Sequence, residues 1–325
     1  MELICPAGTW SAFQAAVEAG ADAVYCGFDD ETNARNFPGL NFSRPALAQA
    51  IAYAHARGCK VYVAVNTYAA AGREKFWEKA VDDAAALGAD ALILADIGLL
   101  AYAARRHPGL RRHLSVQAAA ASVPALTYYA ETFGIKRAVL PRVLTLEEIE
   151  RLAAQAPCEV EVFVFGGLCV MEEGRCALSS YATGRSPNLD GVCSPAEAVS
   201  YARDETGHLV CRVGGVMVNR LAPDEAAPYP TLCKGRFVVE GQSGYLFEAP
   251  TSLDATALLA AFQKAGVHAL KIEGRQRGRA YVGTVVKAFR EALGALAAGR
   301  APVGRALHLA EGRRGTEGAY RKTWR

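Results

Sequence analysis

ELICPAGTWSAFQAAVEAGADAVYCG, residues 2–27, carries the pattern from which the fold is read. ELICPAG is a short apolar strand, TWSAFQAAVEAGAD a helix rich in alanine, and AVYCG a second short strand. A strand that gives way to a helix and then to another strand is the unit from which parallel sheets are built. No glycine-rich dinucleotide turn follows the first strand, which disfavours an open, doubly wound sheet.

Moving outward, the same rhythm continues. ALAQAIAYAHARG precedes KVYVAVNT, KFWEKAVDDAAALGAD precedes ALILAD, and IGLLAYAARRH precedes LSVQA. VPALTYYAETFG then leads to RAVLPR, and TLEEIERLAAQA to EVEVFVFGG. After a long gap come HALKIEGR and the helix AYVGTVVKAFREALGALAAG. Eight strand candidates alternating with helices predict an α/β fold, a (β/α)₈ TIM-like barrel with a cysteine-bearing insertion after strand 7. The barrel is expected to span residues 1–166 and 251–300, with an inserted region at 167–250 and a basic tail at 301–325. The insert holds the turn-rich GRSPNLDG, DETGHL and NRLAPDEAAPYP and two short β segments, CRVGGVMVN and GRFVVEG. A connection this long is uncommon unless functional, and a loop that follows a barrel strand lies on the C-terminal face, where sites are built. The insert is therefore expected to form part of the site.

The nine cysteines divide by context. Cys5, Cys26, Cys59 and Cys158 lie in or beside predicted strands, where small buried thiols are common. Cys211 has a strand-like, apolar setting. Cys169, Cys176, Cys193 and Cys233 sit instead in glycine- and charge-containing loop sequence within the insert. Four thiolates suit either a tetrahedral zinc or an iron–sulfur cluster. The four are separated by six, sixteen and thirty-nine residues, without the close pairs usual for zinc, and this fits a cluster held by several loops better.

Residues 161–179, EVFVFGGLCVMEEGRCALS, resemble the signature of the U32 peptidase-like family, E-x-F-x₂-G-[SA]-[LIVM]-C-x₄-G-x-C-x-[LIVM]-S. The one departure is Gly167, where the pattern has Ser or Ala. MELICPAG, NARNF, LILAD, SVQA, VLPRVL, CSPA, YPTLCKGR, APTSL and KIEGRQR extend the resemblance along nearly the whole chain, toward the branch of the family concerned with ubiquinone biosynthesis. The resemblance implies the iron–sulfur subunit of an O₂-independent hydroxylase, acting on the aromatic ring of a ubiquinone precursor, with UbiV, a homologous family member, as its partner in a heterodimer. It further implies a [4Fe–4S] cluster on Cys169, Cys176, Cys193 and Cys233, the four that context selects.

The strands also carry polar residues where parallel strands are normally apolar on both faces. In KVYVAVNT, EVEVFVF and ALKIEGR one face is apolar, and the other would turn Asn66, Glu161, Lys271 and Glu273 toward the barrel axis, joined by Gln117. Asp96 and Arg142 stand at strand ends. Buried charges persist when paired, so Lys271 is expected to pair with Glu161 or Glu273. Arg142, Glu161, Lys271 and Glu273 are the candidate catalytic residues, with Arg142 as the carboxylate-binding cation of the rim.

Composition excludes other classes. The chain has 325 residues, and its 36 basic and 33 acidic side chains are well mixed, so no nucleic-acid partner is expected. The final stretch, RRGTEGAYRKTWR, reads as a solvated or partner-contacting end. MELICPAG lacks the basic and long apolar regions of a signal peptide, and no run approaches the length of a membrane span, which points to the cytoplasm. A peptidase or hydrolase, as the family's label suggests, would call for HExxH or GxSxG; neither is present, and the six histidines are scattered singly. RNA-base hydroxylation, as by related family members, would favour a larger basic surface or added domains.

Overall fold

The computed structural model describes residues 1–188, 192–304, 306–310 and 314–321. Seven parallel strands follow one another around a ring: β1 (Glu2–Pro6), β2 (Ala23–Gly27), β3 (Lys60–Val65), β4 (Ala91–Leu94), β5 (Arg111–Leu114), β6 (Arg137–Val139) and β7 (Glu159–Gly167). Between them run α1 (Trp10–Glu18), α2 (Arg44–His55), α3 (Glu74–Ala86), α4 (Ile97–Arg106), α5 (Val123–Phe133) and α6 (Leu146–Ala153). The insert contributes α7 (Leu178–Thr183), the antiparallel sheet β8 (Val199–Arg203), β9 (Leu209–Val213) and β10 (Val216–Leu221), and the hairpin β11 (Arg236–Val239) with β12 (Gln242–Tyr245). Then come β13 (Ser252–Asp254), α8 (Leu259–Lys264), β14 (Ala269–Ile272), α9 (Arg279–Ala297) and β15 (Gly315–Thr316). β14 pairs in parallel with both β7 and β1 and so closes an eight-stranded barrel.

Side-chain alternation explains why these segments are strands. Leu3, Cys5, Val24, Cys26, Val61, Val63, Leu270 and Ile272 face the helices in the large outer core. Their neighbours Ile4, Ala23, Tyr25, Tyr62, Ala64 and Ala269 fill the interior of the barrel. Several helices start where a hydroxyl or carboxylate accepts an otherwise unpaired N–H: Thr9 for α1, Asp96 for α4, and Thr145 for α6 in a reciprocal box with Glu148. Each such cap stabilises by about 1 kcal/mol. Cys5, Cys26 and Cys59 are buried in the outer core and Cys211 in the small core of the insert, as small apolar side chains.

Three expectations are corrected. The fifth strand is Arg111–Leu114, not LSVQA, because the Ser115 hydroxyl accepts from the Gln117 N–H and turns Val116–Ala118 into a single 3₁₀ turn. The crossover helix α8 was not anticipated; it is short and begins with a 3₁₀ turn, so its periodicity is weak in sequence. The C-terminal stretch is not simply a solvated tail. β15 pairs with β13, which itself takes the edge of β7 that β6 leaves free, and Tyr320 is buried with its hydroxyl donating to the Phe163 carbonyl at 2.6 Å. Parts of the expected tail, residues 305, 311–313 and 322–325, lie outside the described residues.

At the N-terminal end of the barrel an ion network ties the strand starts together. Arg137 reaches Glu2 at 2.6 Å, Glu159 at 2.7 Å and Glu161 at 3.4 Å, and Lys60 reaches Glu2 at 2.6 Å. Above it lies His113, fully buried and edge-on to Tyr62, with both ring nitrogens lacking a hydrogen-bond partner among the described residues. Burial, reinforced by the nearby Arg137 and Arg111, drives its pKa well below the usual imidazole range. The folded chain therefore holds His113 neutral, while the unfolded chain takes up a proton as pH falls through the ordinary imidazole pKa of about 6.5. Proton uptake by the unfolded state alone means that stability declines with acidification in that range. His113→Phe, which keeps the packing against Tyr62, is expected to flatten the dependence of Tm on pH between about 7.5 and 5; parallel slopes for both proteins would contradict this.

Candidate active site at the barrel mouth

The C-terminal strand ends open on one cleft. Tyr25 comes from β2, Asn66 from the turn after β3, Gln117 from the 3₁₀ turn after β5, Arg142 from the loop after β6 and Phe163 from β7. Lys271, Glu273 and Arg275 come from β14 and its continuation, Glu173 from the insert, and Arg35 from the loop after β2. The insert is thus part of the site. Gly174 makes this possible: with φ +81° and a position where an added Cβ would stand 2.0 Å from the Gln117 carbonyl oxygen, it lets the CVMEEGRC loop lie directly on the turn after β5.

The charges in and beneath the cleft are organised in two tiers. In the lower tier, Lys271 donates to Glu161 at 2.6 Å and lies 3.9 Å from the centre of the Tyr25 ring. Burial pushes the Lys271 amine below its usual range, partly offset by Glu161. Glu161 does not reach the rim; Lys271 covers it from above and Arg137 holds it from the N-terminal side. In the upper tier, Arg142 is buried over the Phe163 ring, donates to Glu173 at 2.5 Å, to the Gly167 carbonyl and, at 3.4 Å, to Glu273. Burial works against the Arg142 charge, but Glu173 and Glu273 outweigh it and raise its pKa. Burial likewise opposes ionisation of Glu273, yet Arg142 and Arg35 hold its carboxyl below the usual range.

This geometry changes the expected roles. Lys271 takes Glu161, the first of its two expected partners. Arg142, expected to receive a carboxylate from outside, already holds two of the protein's own. Asp96 is not a rim acid: its two oxygens accept from the N–H groups of Leu99 and Ala69 and fix the start of α4. Asn66 lines the cleft while accepting from Ala34 N–H at 3.1 Å. Tyr25, Asn33, Arg35, Glu173 and Arg275 were not singled out from sequence. Asn33 and Arg35 lie in NARNF, Glu173 in CVMEEGRC and Arg275 in KIEGR, so each was present in a quoted motif without a signal for its direction.

Three of the loop cysteines lie near enough to others of the set to feel their charge. A charge on Cys233 disfavours ionisation of Cys169, and Cys176 acts in the same way on both Cys193 and Cys233. Close packing of protein around Cys169, Cys193 and Cys233 raises all three thiols, Cys233 to about 11, although Cys193 retains an exposed face. Cations oppose this shift: Arg142 beside Cys169, Arg35 and Lys234 beside Cys193, and Lys234 beside Cys233. Among the described residues no group of three His, Cys, Asp or Glu side chains is gathered around a point that one metal ion would occupy. Four thiols in the insert, with cations near three of them, are the donor type that an anionic iron–sulfur cluster takes, each thiolate binding a different iron.

Arg142→Ala would strand Glu173 and Glu273 in the upper tier. We expect a loss of about 3–5 kcal/mol in unfolding free energy, the usual consequence of removing one partner of a buried ion pair. Denaturant unfolding that leaves the midpoint unchanged would show that these contacts carry no stability.

Comparison with known proteins places the chain. Residues 8–320 match the family model described as Peptidase family U32. The tRNA hydroxylation protein P of Escherichia coli K12 is 33% identical over 92% of this chain and 69% of its own length. The protein of that name from Haemophilus influenzae is 32% identical over 92% of this chain and 68% of its own. The 23S rRNA 5-hydroxycytidine C2501 synthase of Escherichia coli K12 is 29% identical over 94% of this chain and 41% of its own. With a match that spans nearly every residue of the barrel and insert, the chain belongs to peptidase family U32.

Proposed function

We propose that this chain is the iron–sulfur subunit of an O₂-independent hydroxylase, with a [4Fe–4S] cluster on Cys169, Cys176, Cys193 and Cys233. The observation that carries the reading is that the loop bearing Cys169 and Cys176 lies on the barrel mouth, with Gly174 against the Gln117 carbonyl and Glu173 on Arg142, in a chain whose named relatives are hydroxylation proteins. When bound, the cluster supplies electron transfer or activation of the substrate. The chain's own residues then orient the ring: Tyr25 and Phe163 offer apolar surface, while Asn66 and Gln117 offer amide groups. Glu273, kept ionised by Arg142 and Arg35, is placed to accept a proton at its carboxylate. The reading does not favour hydrolysis, which needs an activated nucleophile or a metal-bound water.

The preferred substrate is the aromatic ring of a ubiquinone precursor. This makes the chain UbiU-like, working with a homologous UbiV-like subunit in the cytoplasm. The well-mixed charge of the chain supports a small substrate over a long phosphodiester track. Apolar side chains left exposed on the insert, Tyr181, Val238, Leu246 and Phe247 among them, support a partner surface on that side. Among the described residues no helix is long and apolar enough to cross a membrane. A second reading, hydroxylation of an RNA base, is favoured by the names of the relatives.

Anaerobic purification with iron and sulfide assay tests the cofactor. Cys176→Ala is expected to lose iron and lower stability, because ligation stabilises only the folded holo form, whereas Cys211→Ala should keep its iron and lose only packing. Full iron content in Cys176→Ala, or stoichiometric zinc in a colourless wild type, would overturn the assignment. Anaerobic growth of a strain lacking the gene separates the substrates: loss of ubiquinone with normal hydroxylated nucleosides supports the ring, and the reverse supports RNA. Co-expression with a UbiV-like chain should yield a complex by size; two separate monomers would count against the partner.

A further inference from the structure

Among the described residues, the cleft contains one cation whose charge no carboxylate balances. Lys271 is held by Glu161, Arg142 by Glu173 and Glu273, and Arg35 lies 3.5 Å from Glu273. Arg275 is as deeply buried as Arg142, at 6% exposure, yet makes no ion pair among the described residues. Among the described residues its side chain makes one hydrogen bond, from Nη1 to the amide oxygen of Asn33, a neutral acceptor, and its guanidinium carbon lies 5.6 Å from the centre of the Tyr25 ring. Burial, outweighing the more distant Tyr25 and Glu273, brings its pKa down to about 10. Asn33 is itself fixed: its amide donates to the Phe28 carbonyl at 3.0 Å, and an added Cβ on Gly27 would stand 2.5 Å from its Cγ. A second group in the same cleft points to a ligand independently, since the buried side-chain oxygen of Gln117 has no partner among the described residues.

We infer that Arg275 is the anion-recognition residue of this cleft and that it takes a single carboxylate of an aromatic or otherwise unsaturated small molecule. The inference deepens the proposed function, because it rests on the cleft being the substrate site. An uncompensated buried guanidinium is costly, and a bound anion relieves that cost. Asn33 occupies Nη1, leaving Nη2 and Nε as one edge for the two oxygens of a carboxylate. One unbalanced positive charge matches a carboxylate better than a phosphate monoester, which carries about −1.5 to −2 at neutral pH. The walls formed by Tyr25 and Phe163 match a flat, apolar body. Arg142, with two carboxylates of its own, is the less suitable cation for this purpose.

Calorimetric titration of the anaerobically purified full chain at constant ionic strength tests this with three probes: benzoate, its neutral analogue benzamide, and inorganic phosphate. Benzoate is expected to bind wild type at least about ten-fold more tightly than benzamide, and no more weakly than phosphate. Arg275→Gln should weaken benzoate by about ten- to a hundred-fold. Asn33→Asp should weaken it comparably while keeping the arginine, because a carboxylate at position 33 would neutralise the guanidinium from within. Iron content should match wild type in both variants. Benzoate binding that is absent in wild type, weaker than that of phosphate, or undiminished in both variants would overturn the inference. Iron-free protein that still binds benzoate through Arg275 would instead refute the cluster reading and leave this one standing.

Discussion

The buried ion pair between Lys271 and Glu161 stands at the seam where the barrel closes. β7 ends at Gly167 and β14 begins at Ala269, so the chain travels through the whole insert, β13 and α8 before it returns to lie between β7 and β1. Side chains alternate along a strand, and a one-residue slip of β14 would turn Lys271 toward the helices and Leu270 toward the axis. Such a slip would leave a buried ammonium among apolar side chains and cost several kcal/mol. The pair therefore penalises wrong closure more than it adds net stability.

Everything at the mouth follows from that register. With Lys271 facing the axis, Glu273 two residues later also points inward, beside Gly167 and within reach of Arg142 and Arg35. Arg142 and Glu173 then connect the loop after β6 to the insert, and Arg142 lies beside Cys169. The same arginine that neutralises two carboxylates thus favours the ionised form of Cys169, one of the four proposed cluster ligands. Barrel closure, cleft charge and the cysteine loops are parts of one electrostatic arrangement.

The two ends of the barrel divide stability from chemistry. The N-terminal end is closed by Glu2, Lys60, Arg111, Arg137 and Glu159, whose charges pair with one another. The C-terminal end keeps Arg275 and Gln117 without full satisfaction from the protein. His113 is unpartnered too, but it is enclosed within the barrel, whereas the groups at the mouth line a cleft where a ligand can complete them.

The sequence by itself determined the barrel and the place of the insert within it. Strand and helix periodicities are local, and a parallel sheet built from eight such units has few ways to close. It also determined that Lys271 and Glu161 would face inward, since the alternation of ALKIEGR and EVEVFVF is a property of each strand alone. Only the tertiary structure decided which charges neutralise which. Arg142 could be recognised as a rim cation, but its partners Glu173 and Glu273 are 31 and 131 residues away in the chain. The lack of an ionic partner at Arg275 is defined by its surroundings and leaves no trace in local spacing. Loops after β2, β5 and β6 meet the insert and the end of β14 at one rim, and contacts of that range are set by barrel closure and not by any short stretch of residues.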